Sequence, residues 1–185
     1  MECLNLKTVV LGDNIIDIQN RAFANCINLE TVILPETLLQ IREEAFIYCE
    51  SLKEIYIPES VRLIEWGAFQ GCKNVTSIIV HENNTYYDSR ENCNGLIDTK
   101  ENMLIVGCKK TKIPQSVTKI QGYAFMNIDD LSKLYLHKNV SVVKHHAFYH
   151  CDNLIIYYEG SSIPSKWENL WCTEKVQIVF NVKQN

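Results

Sequence analysis

The dipeptide Ala-Phe returns at Ala22-Phe23, Ala45-Phe46, Ala68-Phe69, Ala124-Phe125 and Ala147-Phe148. The steps are 23, 23, 56 and 23 residues, and 56 is one period of 23 followed by a longer one of 33. A fixed period of this kind constrains the fold more than any local propensity, because it marks a chain built by stacking one small unit. Three residues after each Phe stand Cys26, Cys49, Cys72, Ile128 and Cys151, with Cys3 one period earlier. Three further on come Leu6, Leu29, Leu52, Val75, Leu131 and Leu154, and Cys108 fills this slot ahead of Ala124. These seven residues open seven coils. Alternating pairs follow, Val9/Leu11, Val32/Leu34, Ile55/Ile57, Ile78/Val80 and Leu134/Leu136, with both members directed inward.

A unit of 23 residues cannot bury its own apolar side. Stacked neighbours share a continuous core, and stability becomes a sum of interfaces between adjacent coils. The alternating segments are expected to stack as parallel strands about 4.8 Å apart. The rest of each coil is expected to be short extended or 3-10 pieces, since no helical period is sustained. A polar slot at Asn14, Thr37, Ser60, Ser116 and Asn139 is placed to hydrogen-bond the backbone at the bend after each strand. The long coil, about residues 75–107, is expected to carry a hairpin running from Gly95–Asp98 through a turn to Met103–Val106. The expected division is a seven-coil solenoid over residues 1–159 and a C-terminal cap over 160–185, with Trp167, Trp171 and a strand at Val176–Phe180. Nothing cap-like precedes Cys3, so the chain reads as an N-terminally truncated piece of a larger protein.

The L-x-x-V-x-L segments with their following polar residue resemble leucine-rich repeats. The variant I-P-x-S-V-x-x-I-x-x-x-A-F-x-x-C-x-x-L, clearest at Ile57–Val75 and Ile113–Leu131, is similar to the BspA-like family of surface leucine-rich-repeat proteins. The resemblance covers nearly the whole chain. It implies a right-handed superhelix with parallel strands lining a concave face. It also implies a virulence-associated cell-surface or secreted adhesin that binds host, extracellular-matrix or other cell proteins.

Bulk properties exclude several alternatives. A net charge of −4 argues against a general nucleic-acid binder, which needs surplus Lys and Arg against phosphate. No apolar run approaches the roughly 18 residues of a membrane span. The start, MECLNLKTVVLGDN, lacks a secretory leader, although a truncated chain would have lost one.

Eight cysteines invite a metal or redox reading, yet no C-x-x-C pair is present. Ile128 occupies the same slot as the Cys ladder, and an isoleucine neither ligates nor transfers electrons. Packing needs only a compact hydrophobe there, which is how buried Cys behaves. Cys108 is expected in the core, whereas Cys93 and Cys172 find no place in the frame. His145, His146 and His150 have a metal-like spacing, but the repeat assigns them to outward positions and predicts no helix to bring His146 and His150 together. No nucleophile elbow, P-loop or H-E-x-x-H motif is present, so neither catalysis nor a cofactor is expected.

The concave strand face is the candidate site. Its central outward row is expected to be Val10, Ile33, Tyr56, Ile79, Lys112, Tyr135 and Tyr158, flanked by Thr8, Thr31, Glu54, Ser77, Lys110, Lys133 and Ile156. A solvated strand face should be polar. Six of the seven central residues are apolar or aromatic instead, and Lys110, Lys112 and Lys133 form a basic patch beside Tyr135. Contiguous exposed apolar surface marks interaction sites, and Tyr is favoured in them. The expected ligand is a protein; glycan recognition by the same tyrosines and a purely structural spacer are the alternatives.

Overall fold

Alternation of period two sends one set of side chains inward only if the segment is extended, and each coil accordingly opens on a short strand. The computed structural model describes residues 3–183, so Met1, Glu2, Gln184 and Asn185, included in the expected boundaries, lie outside the described residues. In chain order the strands are β1 (Thr8–Val10), β2 (Asp17–Ile18), β3 (Thr31–Ile33), β4 (Gln40–Ile41), β5 (Glu54–Ile57), β6 (Leu63–Ile64) and β7 (Ser77–Val80). They continue with β8 (Tyr87–Asp88), β9 (Leu96–Asp98), β10 (Met103–Val106), β11 (Lys119–Ile120), β12 (Lys133–Leu136), β13 (Val142–Val143), β14 (Ile155–Tyr158) and β15 (Gln177–Val179). A 3-10 turn at Arg90–Asn92 is the one helical element among the described residues.

The chain is a parallel-strand solenoid of about seven turns. The longer strands form its main face: β1 pairs with β3, β5 with β7, and β14 with both β12 and β15, all in parallel register. The two-residue strands line a second side, where β2, β4 and β6 pair in parallel. The insert of the long coil joins that side through the antiparallel β8–β9 and β9–β10 pairs and the parallel β10–β11 and β11–β13 pairs.

The third side carries Ala-Phe between two left-handed residues. Arg21, Glu44, Gly67, Tyr123 and His146 precede Ala, and Asn25, Tyr48, Gly71, Asn127 and His150 follow Phe by two; all have φ between 54 and 74°. Such a conformation is unfavourable for non-glycine residues and persists where the surroundings hold it. Here the next coil does so: Asn25 donates its N–H to Ile47 O, Tyr48 to Gln70 O and Asn127 to Tyr149 O, at 2.8–2.9 Å. Gly71 is fixed for a second reason, because a Cβ there would sit 2.5 Å from the Tyr48 ring.

Inside, the Phe rings stack along the axis. Phe23, Phe46 and Phe69 lie 5.1 and 5.3 Å apart, nearly parallel, and Phe125 and Phe148 lie 5.1 Å apart. Between the two stacks, Gly107 takes the Phe slot: its N–H donates to Ala124 O as Phe125 N–H donates to Ala147 O. A Cβ on Gly107 would lie 2.2 Å from the Phe125 ring. The core divides here into two clusters, one extending from Ile18 to Leu96 with Cys108, the other from Cys93 to Trp167.

The cysteine ladder is internal from Cys26 onward, whereas Cys3, expected in the same inward slot, is exposed in the first coil, which has no preceding turn packed on it among the described residues. Cys26, Cys49, Cys72 and Cys151 are buried, as is Ile128 in their slot, and all eight cysteines are free. The slot is more than filler, however. The thiols of Cys49, Cys72 and Cys151 donate to the carbonyls of Phe23, Phe46 and Phe125 in the preceding coil. Cys93, between β8 and β9, and Cys108, just after β10, are both buried. In the polar slot, Thr37 Oγ1 donates to Asp13 O at 2.7 Å, Ser60 Oγ to Leu38 O at 2.6 Å and Asn139 Nδ2 to Gln115 O at 3.3 Å, whereas Ser116 Oγ accepts from Arg90 instead.

At the C-terminal end, Trp167 is buried against Tyr158 and Trp171, and its Nε1–H donates to Val140 O. β15 adds a further parallel strand beyond β14.

Candidate binding surface

Side chains between the inward pairs leave the long-strand face. Val10, Ile33 and Ile79 are 68, 53 and 45% exposed there, and Val179 on β15 is 43% exposed. Exposure of this degree on successive aliphatic residues is costly unless something covers it. Tyr56 is half-buried on β5; its hydroxyl donates to Glu36 Oε1 at 3.3 Å, and burial together with the Glu36 carboxylate pushes its pKa up. Lys110, Lys112 and Lys133 are exposed, and Tyr135 is half-buried. Lys110, Lys112, Lys133 and Tyr135 line one depression of about 320 Å³.

Tyr158 does not belong to this face. It is 3% exposed and packs inward against Trp167 and Phe180. The register of β12 with β14 pairs Leu134 with Ile156, Tyr135 with Tyr157 and Leu136 with Tyr158, a step of 22 residues. One residue is missing after Leu154 relative to the other coils, and a slip of one in a strand exchanges its two faces. Tyr157 is therefore the outward tyrosine, with Ile155 rather than Ile156 beside it.

The row is also interrupted. Ile79 and Lys112 are not neighbours, because Asn94 is inserted between β7 and the Lys110–Ile113 segment. Its Oδ1 accepts the Ile78 N–H at 2.7 Å, its Nδ2 donates to Thr76 O at 3.1 Å, and its own carbonyl accepts Thr111 Oγ1 at 2.6 Å. Lys112 N–H donates to the neighbouring Cys93 O. The face thus has two parts: an aliphatic one around Ile33, Tyr56 and Ile79, and a basic aromatic one around Lys110, Lys112, Lys133, Tyr135 and Tyr157.

Tyr135 and Tyr157 stack on each other, centroids 4.9 Å apart and planes 21° off parallel. In such a stack each ring covers one face of the other.

On the opposite side the histidines enter an aromatic cluster. Tyr123 packs on Trp66, His145 and His146, with His146 Nδ1 2.9 Å from Tyr123 Oη, while His145 Nδ1 lies 3.0 Å from Glu168 Oε2. His146 and His150 share a turn, not a helix, and among the described residues no three potential metal ligands converge. Burial raises the Cys49 and Cys151 pKa to about 12, which suppresses the thiolate that nucleophilic or redox chemistry would use.

Residues 1–98 and 104–173 match the BspA-type leucine-rich-repeat region, in six copies. The chain belongs to this family. Much of the unmatched interval 99–103 is the turn joining β9 to β10, where the BspA-type repeat is interrupted. Among solved structures, a leucine-rich cell-surface protein from Faecalibacterium prausnitzii is 26% identical with a TM-score of 0.74, over 88% of this chain and 44% of that one. The pneumococcal vaccine antigen PcpA is 16% identical with a TM-score of 0.67, over 95% and 55%. A leucine-rich-repeat protein from Eubacterium ventriosum is 18% identical with a TM-score of 0.62, over 97% and 61%. The BspA-type chain thus spans 44 to 61% of the length of these proteins. Nothing among curated proteins matches it. No helix among the described residues is long and apolar enough to cross a membrane.

Proposed function

We propose that this BspA-type solenoid is a non-enzymatic protein-binding module of a cell-surface adhesin, which engages its ligand through the long-strand face. One observation carries the reading: Val10, Ile33 and Ile79 stand about half exposed or more on a face where strand alternation calls for polar residues. Aliphatic and aromatic side chains there, bordered by charge, fit recognition of another protein better than solvation. The placement on a surface draws support from the Faecalibacterium relative, itself a cell-surface protein. Residues 1–159 then act as the recognition solenoid and 160–185 as its cap. Glycan binding is less well supported, because the Tyr135–Tyr157 stack takes one face of each ring away from any sugar.

The test is a panel of extracellular and matrix proteins, with a glycan array beside it. The wild-type chain is compared with an Ile33→Ser/Ile79→Ser/Tyr135→Ser variant and with a Trp66→Ser/Tyr149→Ser variant on the opposite side. A panel protein should bind wild type and the second variant and lose the first. Retained binding by the first variant with an intact fold removes the face from the function, and binding to glycans alone replaces the ligand class.

A further inference from the structure

The two parts of the long-strand face differ in charge, and this bears on what each accepts. Around Tyr56 the ionisable neighbours are acidic: Glu36 holds its hydroxyl and Glu54 is exposed on the same strand. Beyond Asn94 the sign reverses. Lys110, Lys112 and Lys133 line one depression with Tyr135, and its one acidic lining residue, Asp130, is engaged by Lys109 at 2.6 Å. Among the described residues, no carboxylate lies within ion-pair distance of Lys110, Lys112 or Lys133. Lys53, Lys73, Lys119 and Lys175, by contrast, each have such a partner in an adjacent turn. A concentrated, uncompensated positive patch on a chain of net charge −4 is a local feature of this face rather than a property of the whole surface. It attracts anionic groups and repels cationic ones.

The aromatic border narrows the class. Sugar rings stack on open aromatic faces, and Tyr135 and Tyr157 have each given one of theirs to the other. Ring edges and hydroxyls suit peptide carbonyls and aliphatic side chains. Resting on the protein-binding reading above, we propose that the depression formed by Lys110, Lys112, Lys133 and Tyr135, beside Tyr157, receives an acidic segment of a partner polypeptide. The lysines meet its carboxylates and the tyrosine edges contact the intervening backbone. The acidic surroundings of Tyr56 favour placing such a segment at the C-terminal half of the face.

The probes are a fluorescent Glu/Ser peptide, its Gln/Ser counterpart and a heparin fragment, measured by fluorescence polarisation against the whole chain. Wild type should bind the Glu/Ser peptide in preference to the Gln/Ser one, with affinity falling as salt is raised. Lys110→Gln/Lys112→Gln/Lys133→Gln should weaken it about tenfold, as expected for three solvent-screened contacts. A Lys7→Gln/Lys100→Gln/Lys166→Gln control should leave it unchanged. Equal binding of both peptides, no binding of either, or equal loss in the control overturns the proposal. Heparin bound without the Glu/Ser peptide assigns the patch to anionic glycans, and self-association abolished by the lysine variant assigns it to a second copy; either also overturns it. If the lysine variant keeps a panel ligand that the Ile33/Ile79/Tyr135 variant loses, this inference fails while the binding face stands.

Discussion

The Phe stack supplies a quantitative test of the repeat energetics. Phe46 is 1% exposed and is sandwiched between Phe23 and Phe69 at 5.1 and 5.3 Å, whereas Phe23, at the end of the stack, is half-buried with one ring neighbour. Removing a fully buried Phe costs about 3–5 kcal/mol, and each stacked pair adds about 0.5–1.5 kcal/mol beyond area. Phe46→Ala is therefore expected near the upper end of that range and Phe23→Ala at about half of it. The cost is carried by two interfaces in the first case and one in the second. Urea unfolding followed by fluorescence and circular dichroism gives both values, with Phe46→Leu and Phe23→Leu as milder variants if Ala unfolds the chain. A double-mutant cycle of Leu variants at Phe46 and Phe69 should show a coupling of about 0.5–1.5 kcal/mol. The same cycle at Phe69 and Phe125, separated by Gly107, should show almost none. Equal losses at Phe23 and Phe46, or strong coupling across Gly107, would refute the reasoning that stability here is a chain of contacts between neighbouring rings.

The remaining predictions use other parts of the fold. Gly107→Ala should destabilise by about 1–3 kcal/mol through overpacking, because the new methyl meets the Phe125 ring at 2.2 Å, while Gly12→Ala, which meets nothing within 4 Å, should be nearly neutral; thermal denaturation separates them. Tyr158→Ser should cost about 3 kcal/mol in the same assay, and Tyr157→Ser, on the outward side, far less. In the native state a maleimide should label exposed Cys3 long before Cys26, Cys49, Cys72 or Cys151, which should react on denaturation; mass spectrometry locates the sites, and rapid native labelling of the ladder would count against its burial. The same thiols set an alkaline limit. Their neutral form is the one the fold favours, so their contribution is complete below the usual 9.0 and is lost as pH rises towards the folded value of about 12 for Cys49 and Cys151. The unfolding free energy from urea titration should fall across that window, by up to about 1.4 kcal/mol per thiol per pH unit, and less so for Cys49→Ala/Cys151→Ala.

Periodicity made the coils, the inward pairs and the Cys slot legible, because each depends on a side chain that must return at the same point of every turn. Ile128 was enough to separate packing from chemistry at that slot. It could not show that the thiols donate to Phe23, Phe46 and Phe125 carbonyls, since an isoleucine and a cysteine look alike to a packing argument. The seventh coil failed for a different reason. Ile155, Ile156, Tyr157 and Tyr158 are all apolar or aromatic, so alternation carries no sign there. The spacing from Leu131 to Leu154 stays at 23 while the strand behind it has moved by one. Trp167, which buries Tyr158, lies beyond the repeat, so the repeat frame carries no sign of that contact. The left-handed residues flanking Ala-Phe were hidden as well: Arg21, Glu44, Tyr48 and His146 are not residues that announce such backbone, and the hydrogen bonds that hold them come from the neighbouring coil.

Three interruptions coincide at the insert of the long coil. The Phe stack breaks at Gly107, the buried residues separate into two clusters, and the outward row of the long-strand face is parted by Asn94. In a uniform solenoid a ligand would meet one continuous stripe, and a substitution in any coil would propagate only to its neighbours. With the insert, the acidic surroundings of Tyr56 and the basic surroundings of Tyr135 rest on separate cores. Asn94 bridges them through the backbone of Thr76 and Ile78 and through Thr111. Asn94→Ala removes the side-chain bonds to Thr76 and Ile78, while leaving the backbone carbonyl that accepts from Thr111 and every outward residue of both parts in place. Its loss should therefore alter the relative position of the two parts more than the stability of either. A ligand spanning both would lose affinity for the Asn94→Ala chain, and one confined to the lysine depression would keep it. The comparison of that variant with the lysine variant locates the footprint on the face.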